Sequence, residues 1–278
     1  MDKTIENGLK KTKKILVLGG SGFVGNKFIE EYQSQVTTSE RDYNVELVSL
    51  SRRGLKPLIQ SSPQFNIVSV QGDATNESVI ADVFLKHGPF DGCVHAMGLL
   101  LDSQSGNVLM KLNKYASGSG SEVTQESTYD KVTRQSAFSV MEALASQSVG
   151  ANNSSNPPVF IFISAAEAGW KVDPPVDWLR RYLLAKRQVE TKILSLTTST
   201  TAPLRGVIFR PSLIWTWDRP QALLSVIPFY LANKIGISFI DRPVTLESLV
   251  QSMVIVIENQ NVSGIQRYVD IDNLLAGK

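Results

Sequence analysis

The stretch KILVLGGSGFVG, residues 14–25, decides the fold of this 278-residue chain. Its apolar start, Lys14–Gly19, has the composition of a buried strand. Glycines at every third position follow, in a G-x-x-G-x-x-G pattern at the start of a helical segment. Glycines in this context permit a tight turn, a close approach to a pyrophosphate and close packing of helix on strand. The stretch therefore predicts a dinucleotide-binding turn, with contacts from Gly19, Gly22, Phe23, Val24 and Gly25.

Short apolar runs alternate with amphipathic helical patterns along most of the chain. We predict further strands at 44–51, 65–73, 90–98, 158–166 and 204–211, and helices at 23–35, 76–86, 129–147 and 178–196. Repeated strand–helix–strand units indicate a parallel sheet that is covered on both faces. The predicted fold class is α/β, a Rossmann-like doubly wound parallel sheet with a small C-terminal lid.

The predicted strands and helices alternate regularly only within residues 14–211, and this defines the predicted domain organisation. We expect an N-terminal tail at 1–13, a Rossmann domain at 14–211, and a substrate or lid part of the same domain at 212–278. Residues 102–128 have the composition of a surface excursion. The apolar tract at 222–240 is interrupted by polar residues, which favours a core helix and strand, or a face toward lipid, over a membrane-spanning helix.

Composition excludes several classes of function. The chain has 28 basic and 26 acidic side chains, and the net charge of +2 argues against nucleic-acid binding by charge alone. A single cysteine excludes an intramolecular disulfide and a cysteine-rich zinc site, and two histidines leave little for a histidine metal cluster. We therefore predict no metal site, no nucleic-acid partner and a small-molecule ligand.

The end of the second predicted strand bears on which dinucleotide binds. NAD-preferring sites place a carboxylate there, whereas this strand runs into Arg52 and Arg53. Guanidinium groups suit a 2′-phosphate, so NADP(H) is favoured over NAD(H), although arginines after a strand are often simply solvated. Asp73, after the third strand, is predicted to accept a bond from the adenine amino group or to cap the next helix. Ala96 and Gly98, after the fourth strand, are further predicted contacts of the dinucleotide.

A serine, a tyrosine and a lysine form the candidate catalytic group. Ser164 ends the most apolar strand, and Tyr182 and Lys186 follow in a Y-x-x-x-K pattern on a predicted helix. A spacing of four places both side chains on one helical face. We expect the ammonium of Lys186 to lower the pKa of the Tyr182 phenol and to bind the nicotinamide ribose, while Ser164 orients a carbonyl or hydroxyl of the substrate.

Two residues of the fourth predicted strand have simpler interpretations. Cys93 is expected to be a buried core residue. His95 is expected to pack or to form a hydrogen bond rather than to act in catalysis.

These features together resemble the atypical and extended short-chain dehydrogenases/reductases over essentially the whole chain. Within that superfamily the chain is most similar to the mitochondrial NAD(P)-binding proteins of coenzyme Q biosynthesis in fungi and plants, which are related to the NAD(P)-binding accessory subunit of respiratory complex I. The matching segments are GGSGFVG at 19–25, LSRRG at 50–54, HAMGLLL at 95–101, TYDKVTRQSA at 128–137, FISAAEAGW at 162–170, YLLAKRQVE at 182–190, FRPSLIW at 209–215 and DRPVTLESL at 241–249.

The resemblance implies a Rossmann fold, a nicotinamide dinucleotide and a role in making ubiquinone (coenzyme Q). It also implies a peripheral position on the matrix side of the mitochondrial inner membrane, with a quinone-type substrate and a multiprotein complex as partners. Two departures stand out. The fourth strand ends in His95-Ala96-Met97-Gly98 rather than in the N-N-A-G of classical members, which argues against an asparagine-based proton relay there. Residues 1–14 do not resemble a presequence, which leaves the cytoplasm as the alternative location.

Three functions fit the sequence. The first is an NADP(H)-dependent oxidoreductase in which Tyr182 exchanges a proton with an apolar carbonyl or quinone-type substrate. The second is a non-catalytic NADP(H)-binding structural or regulatory subunit of a quinone-synthesis or respiratory complex. The third is an epimerase or dehydratase of nucleotide sugars, which the apolar tract and the short C-terminal part disfavour.

Overall fold

The computed structural model describes residues 10–39, 41–55, 61–98, 128–150, 156–174, 176–197, 203–218, 231 and 241–277. Two predicted features fall almost entirely elsewhere. Most of the surface excursion (102–127) and, apart from Leu231, the apolar tract at 222–240 lie outside the described residues.

Strands and helices alternate along most of the described chain. The strands are β1 (Lys11–Leu18), β2 (Tyr43–Ser51), β3 (Phe65–Gln71), β4 (Gly92–His95), β5 (Val159–Ile163), β6 (Arg205–Phe209), β7 (Ile214–Trp215), β8 (Val244–Thr245) and β9 (Gly264–Gln266). The helices are α1 (Phe23–Thr38), α2 (Glu77–His87), α3 (Ser136–Gly150), α4 (Asp177–Thr197), α5 (Leu246–Glu258) and α6 (Tyr268–Ala276). A π-helical segment, Asp130–Gln135, leads directly into α3, and a 3₁₀ turn, Ala166–Gly169, follows β5.

Seven strands form one parallel sheet in the order β3-β2-β1-β4-β5-β6-β9. The chain builds outward from β1 to β3 and then returns to place β4 on the other side of β1. Leu18 at the end of β1 consequently pairs with Leu50 of β2 on one side and with His95 of β4 on the other. This doubly wound topology confirms the predicted Rossmann-like α/β fold.

The two faces of the sheet are covered by different helices. Because successive side chains of a strand point to opposite faces, the fully apolar run of β1 feeds two cores. Ile15 and Val17 pack with residues of α1 and α5, whereas Leu16 and Leu18 pack with residues of α2, α3 and α4. No helix among the described residues is long and apolar enough to cross a membrane.

Several elements differ from their predicted bounds. Strand β1 begins at Lys11 rather than Lys14, because the lysine-rich segment pairs with the start of β2. Strand β4 is confined to Gly92–His95, shorter than the predicted 90–98. The chain after residue 211 also adds to the main layers: α5 packs against α1, and β9 pairs with β6 as the seventh strand. The sequence patterns did not predict that the residues after 211 add a strand and a helix to the main layers.

Candidate functional site

The predicted site residues lie along the carboxyl edge of the parallel sheet. In open α/β sheets, ligands bind in the crevice where the strand order reverses, which here lies between β1 and β4. The glycine turn follows β1 and forms one side of this crevice, while the segment after β4 forms the other. The remaining predicted residues follow the neighbouring strands: Arg52 and Arg53 after β2, Asp73 after β3, and Ser164 after β5.

The glycine turn has a backbone that other residues do not fit. Gly19 has a φ of 80°, and a Cβ there would lie 3.2 Å from the carbonyl oxygen of Ala96 across the crevice. At Gly25 a Cβ would lie 2.3 Å from the oxygen of Gly19, so helix α1 can approach the turn only without one. Gly22 caps α1 without a side-chain hydrogen bond, and the first turn contains no acidic residue. The positive end of the helix is therefore available to an anion.

The residues after β2 and β3 lie near the surface. Arg52 and Arg53 are exposed, and the main-chain oxygen of Arg52 accepts a hydrogen bond from Gln71. Asp73 Oδ1 accepts bonds from the amide and the hydroxyl of Thr75, both at 2.9 Å. Helix α2 is capped by Asn76, so the alternative interpretation of Asp73 as the cap is wrong. The adenine contact of Asp73 stays a prediction.

His95 ends β4 and is completely buried. Its Nε2 atom lies 2.9 Å from Ser136 Oγ, and that hydroxyl donates its own proton to the oxygen of Val132. Nε2 must therefore carry the imidazole proton. Burial, and to a smaller extent the charge of Lys186, lower the pKa of His95 to about 3. A neutral, hydrogen-bonded His95 and a buried Cys93 confirm the interpretations drawn from the sequence.

Ala96 and Gly98 continue from β4 past the glycine turn. Ala96 is half-buried and its main-chain amide donates to the oxygen of Leu18, which ties this segment to the end of β1. Gly98 is exposed, and a Cβ built there meets no atom of the described residues within 4 Å.

Ser164 and the residue that anchors Lys186, Ile163, are adjacent at the end of β5. Ser164 is 4% exposed, and its Oγ atom has no hydrogen-bond partner among the described residues. Buried hydroxyls are nearly always paired, which marks this one as a candidate to bind a ligand. The Lys186 ammonium donates to the oxygen of Ile163 at 2.6 Å and lies 4.7 Å from the centre of the Phe162 ring. Lys186 thereby joins α4 to the strand end that carries Ser164.

Tyr182 lies on the same face of α4 as Lys186, as the spacing predicts. The Lys186 Nζ atom is 5.7 Å from the centre of the Tyr182 ring, and Tyr129 packs edge-on against that ring at 5.6 Å. Burial raises the pKa of the Tyr182 phenol, and the charges of Glu167 and Tyr129 add to the rise. The expectation that Lys186 lowers this pKa is therefore wrong, because desolvation dominates and the ammonium bonds to Ile163.

A carboxyl group that the sequence analysis missed lies close to Tyr182. Glu167 belongs to the 3₁₀ turn after Ser164, and the alanines around it pack against α4. Burial raises the pKa of the Glu167 carboxyl to about 7, and Asp241 adds to the rise. Arg187 fixes this turn by donating to the oxygens of Ala168 and Trp170 at 3.1 and 2.8 Å. In the sequence, the position of Glu167 three residues after Ser164 was the signal that this carboxyl group lies near the site.

Comparison with known proteins adds support for the fold. No protein-family model matches the chain. The structure is similar to Escherichia coli serine dehydrogenase, with a TM-score of 0.57, 14% sequence identity, and coverage of 91% of this chain and 96% of that chain. It is also similar to ligand-free Thermoplasma acidophilum aldohexose dehydrogenase (TM-score 0.56, 14% identity, 93% and 92% covered). A third similar structure is the Bordetella bronchiseptica enzyme WbmH in complex with NAD⁺ (0.55, 14%, 92% and 75%). At these identities the likeness establishes a shared fold.

Proposed function

We propose that the protein is an NADP(H)-dependent oxidoreductase of the short-chain dehydrogenase/reductase type, acting on an apolar carbonyl or quinone-type substrate. The observation that carries the proposal is the group at the end of β5, where Ser164, Tyr182 and Lys186 converge on the edge that bears the glycine turn. The three similar structures named above include two dehydrogenases and one NAD⁺ complex, which supports the proposal by analogy of fold.

Two features of the crevice support the binding of a dinucleotide. The turn leaves no room for side chains at Gly25, and the uncapped start of α1 suits a pyrophosphate. We assign the binding of the dinucleotide to this turn, to Asp73, Ala96 and Gly98, and to Lys186. The exposed Arg52 and Arg53 favour a 2′-phosphate, and hence NADP(H) over NAD(H). A bound nicotinamide supplies or accepts hydride.

The chain's own residues would handle the substrate oxygen and its proton. Ser164 Oγ is buried and has no hydrogen-bond partner among the described residues, and it donates a hydrogen bond to a substrate carbonyl. The raised pKa of Tyr182 keeps its phenol protonated near neutral pH, so in the reductive direction Tyr182 gives a proton to the developing oxyanion. Lys186 binds the ribose and stays anchored to Ile163.

We further propose a role in ubiquinone biosynthesis, with the protein peripheral on the matrix side of the mitochondrial inner membrane and part of a multiprotein complex. This rests on the sequence resemblance. It is also consistent with apolar surface on the chain that follows β6: Trp215 and Trp217 pack edge to face at 4.7 Å, and Trp217 is 69% exposed. A cytoplasmic location is the alternative.

One observation favours a second candidate function, a non-catalytic NADP(H)-binding subunit. Tyr182 lacks the lowered pKa that would ease proton transfer in both directions. In that case the dinucleotide would stabilise or regulate a complex, and Tyr182 would serve only in packing against Tyr129.

The variant Tyr182→Phe separates the two functions. An enzyme loses NADPH-dependent reduction of a short-chain quinone in this variant, whereas NADPH affinity, measured by fluorescence, changes less than about twofold. Tyr268→Phe, on α6, is the matched control and retains turnover. Wild-type NADPH binding without turnover of any carbonyl or quinone in a panel, together with full function of Tyr182→Phe in a gene-deletion strain, would establish the non-catalytic subunit.

A further inference from the structure

A buried ion pair lies one helical turn beyond Lys186. Glu190 follows it on α4, and Arg210 follows β6. The guanidinium of Arg210 donates two hydrogen bonds to the carboxylate of Glu190, from Nε to Oε1 at 2.9 Å and from Nη2 to Oε2 at 2.5 Å. The side chains are only 5% and 18% exposed for Glu190 and Arg210, respectively. Burial of this kind strengthens the field that the pair exerts on its neighbours.

Among the described residues, few charged groups influence Lys186. Strand β4 presents the neutral imidazole of His95, and β5 presents the Phe162 ring and the Ile163 carbonyl. On its own helix the titratable neighbours are Tyr182 and Glu190, and Arg210 reaches Glu190 from β6. Burial lowers the pKa of Lys186 to about 8, and Glu190 opposes that effect. Glu190 is therefore the anion that favours the ammonium form.

We propose that Glu190 and Arg210 are positioning residues for Lys186, which keep its ammonium charged and in place at the dinucleotide edge of the sheet. Residues four apart on a helix lie on one face, so the charge of Glu190 favours the ammonium form of Lys186 without a direct contact. Arg210 fixes the carboxylate through two bonds and partly neutralises it, which sets the strength of that attraction. The inference rests on the proposed function, in which Lys186 binds the ribose.

The two partners have opposite electrostatic effects, and this distinguishes positioning from general structural support. Glu190→Gln removes the anion and leaves the Arg210 cation, so Lys186 loses its proton at lower pH. Arg210→Gln leaves the anion unopposed, so Lys186 keeps its proton to higher pH. If the two substitutions only disturbed packing, they would not shift the titration midpoint of Lys186 in opposite directions.

The test is a pH titration of lysine Nζ and Cε resonances in isotope-labelled protein without dinucleotide, with Lys186→Arg to assign the signal. We expect the titration midpoint of Lys186 to fall by about one pH unit in Glu190→Gln and to rise by about half a unit in Arg210→Gln. The control is Glu142→Gln, which removes an exposed carboxylate of α3. This carboxylate lies 4.0 Å from Lys192, a different lysine of α4, so its loss should leave the Lys186 midpoint unchanged. Midpoints that move in the same direction, or do not move, overturn the proposal.

A double variant covers the case in which a single variant does not fold. Glu190→Gln/Arg210→Gln replaces the ion pair by two amides, so neither member of the pair is left as a buried charge without its partner. Its Lys186 midpoint should lie below that of the wild type, and an unchanged midpoint contradicts the proposal. Titration of the wild type with NADPH is separate: absence of binding would remove the proposed function, while the lysine midpoints would still decide the effect of the pair.

Discussion

The ammonium of Lys186 donates a hydrogen bond of 2.6 Å to the main-chain oxygen of Ile163, the last residue of β5. The lysine is 2% exposed, so the bond replaces water that the charge would otherwise bind. Because Ser164 is the next residue, this one bond fixes the distance between the helix that carries Tyr182 and the strand end that carries Ser164. Lys186 thus has a structural task in addition to its proposed contact with the ribose.

Replacing the lysine by an apolar residue of similar length should affect binding strongly. In Lys186→Met we expect NADPH affinity to fall by about 10- to 100-fold, the range for a lost hydrogen bond to a charged group. The measurement is calorimetric titration. Lys192→Met, on the more exposed side of the same helix, is the control and should bind normally. Normal affinity in Lys186→Met would remove the lysine from the site.

The glycine turn should be sensitive to a single methyl group. At Gly25 the added Cβ would lie 2.3 Å from the Gly19 oxygen, so Gly25→Ala should lower the free energy of unfolding by about 1–3 kcal/mol. Urea denaturation measures this change. The Cβ of Gly98→Ala meets no described atom within 4 Å, and this variant should change the free energy of unfolding by less than about 0.5 kcal/mol. Equal stability of the two variants would contradict the close packing of α1 on the turn.

The arginines after β2 should distinguish the two dinucleotides. In Arg52→Ala/Arg53→Ala we expect NADPH affinity to fall by about tenfold or more, while NADH affinity changes less than about twofold. Lys86→Ala, which removes an exposed positive charge from α2, should leave both affinities unchanged. A similar loss for both dinucleotides would show that these arginines do not read the 2′-phosphate.

The Glu167 carboxyl should give the protein a characteristic pH dependence. Its folded pKa of about 7 lies above its ordinary value of 4.5, so the folded state binds more protons between these limits. The free energy of unfolding should therefore decrease as pH rises through this window. Glu167→Gln does not titrate and should lose this part of the slope, whereas Glu142→Gln, with an exposed carboxylate, should keep it. If the free energy of unfolding had the same pH dependence in the wild type and in Glu167→Gln, the Glu167 carboxyl would be exposed to water rather than buried.

Local patterns in the sequence predicted the layers of the fold and the order of the site residues. The run at 14–18 feeds both cores, and the four-residue spacing places Tyr182 and Lys186 on one face, because both features follow from the periods of strand and helix. Strand β9 escaped prediction because Gly264–Gln266 is too short for a periodic signal and is held by its pairing with β6.

The electrostatics of the site depend on contacts that no local pattern encodes. Glu190 meets Arg210 across 20 residues of chain, and Tyr182 meets Tyr129 and Glu167 from two other segments. The pKa of Tyr182 is raised mainly by burial, and the nearby Glu167 and Tyr129 add to the rise. For this reason the sequence correctly placed Tyr182 and Lys186 on one helical face but missed Glu167 and misjudged the ionisation of the tyrosine.

The proposed function requires that a dinucleotide binds in the crevice between the glycine turn and the segment after β4. The most direct test is calorimetric titration of NADPH into the wild type and into Gly98→Trp, because Gly98 is exposed and a Cβ there meets no described atom within 4 Å, so we expect the substitution to leave the fold intact. We predict saturable binding of a single NADPH per chain in the wild type and none in Gly98→Trp. Absence of binding in the wild type, or equal binding in a folded Gly98→Trp, would contradict the claim.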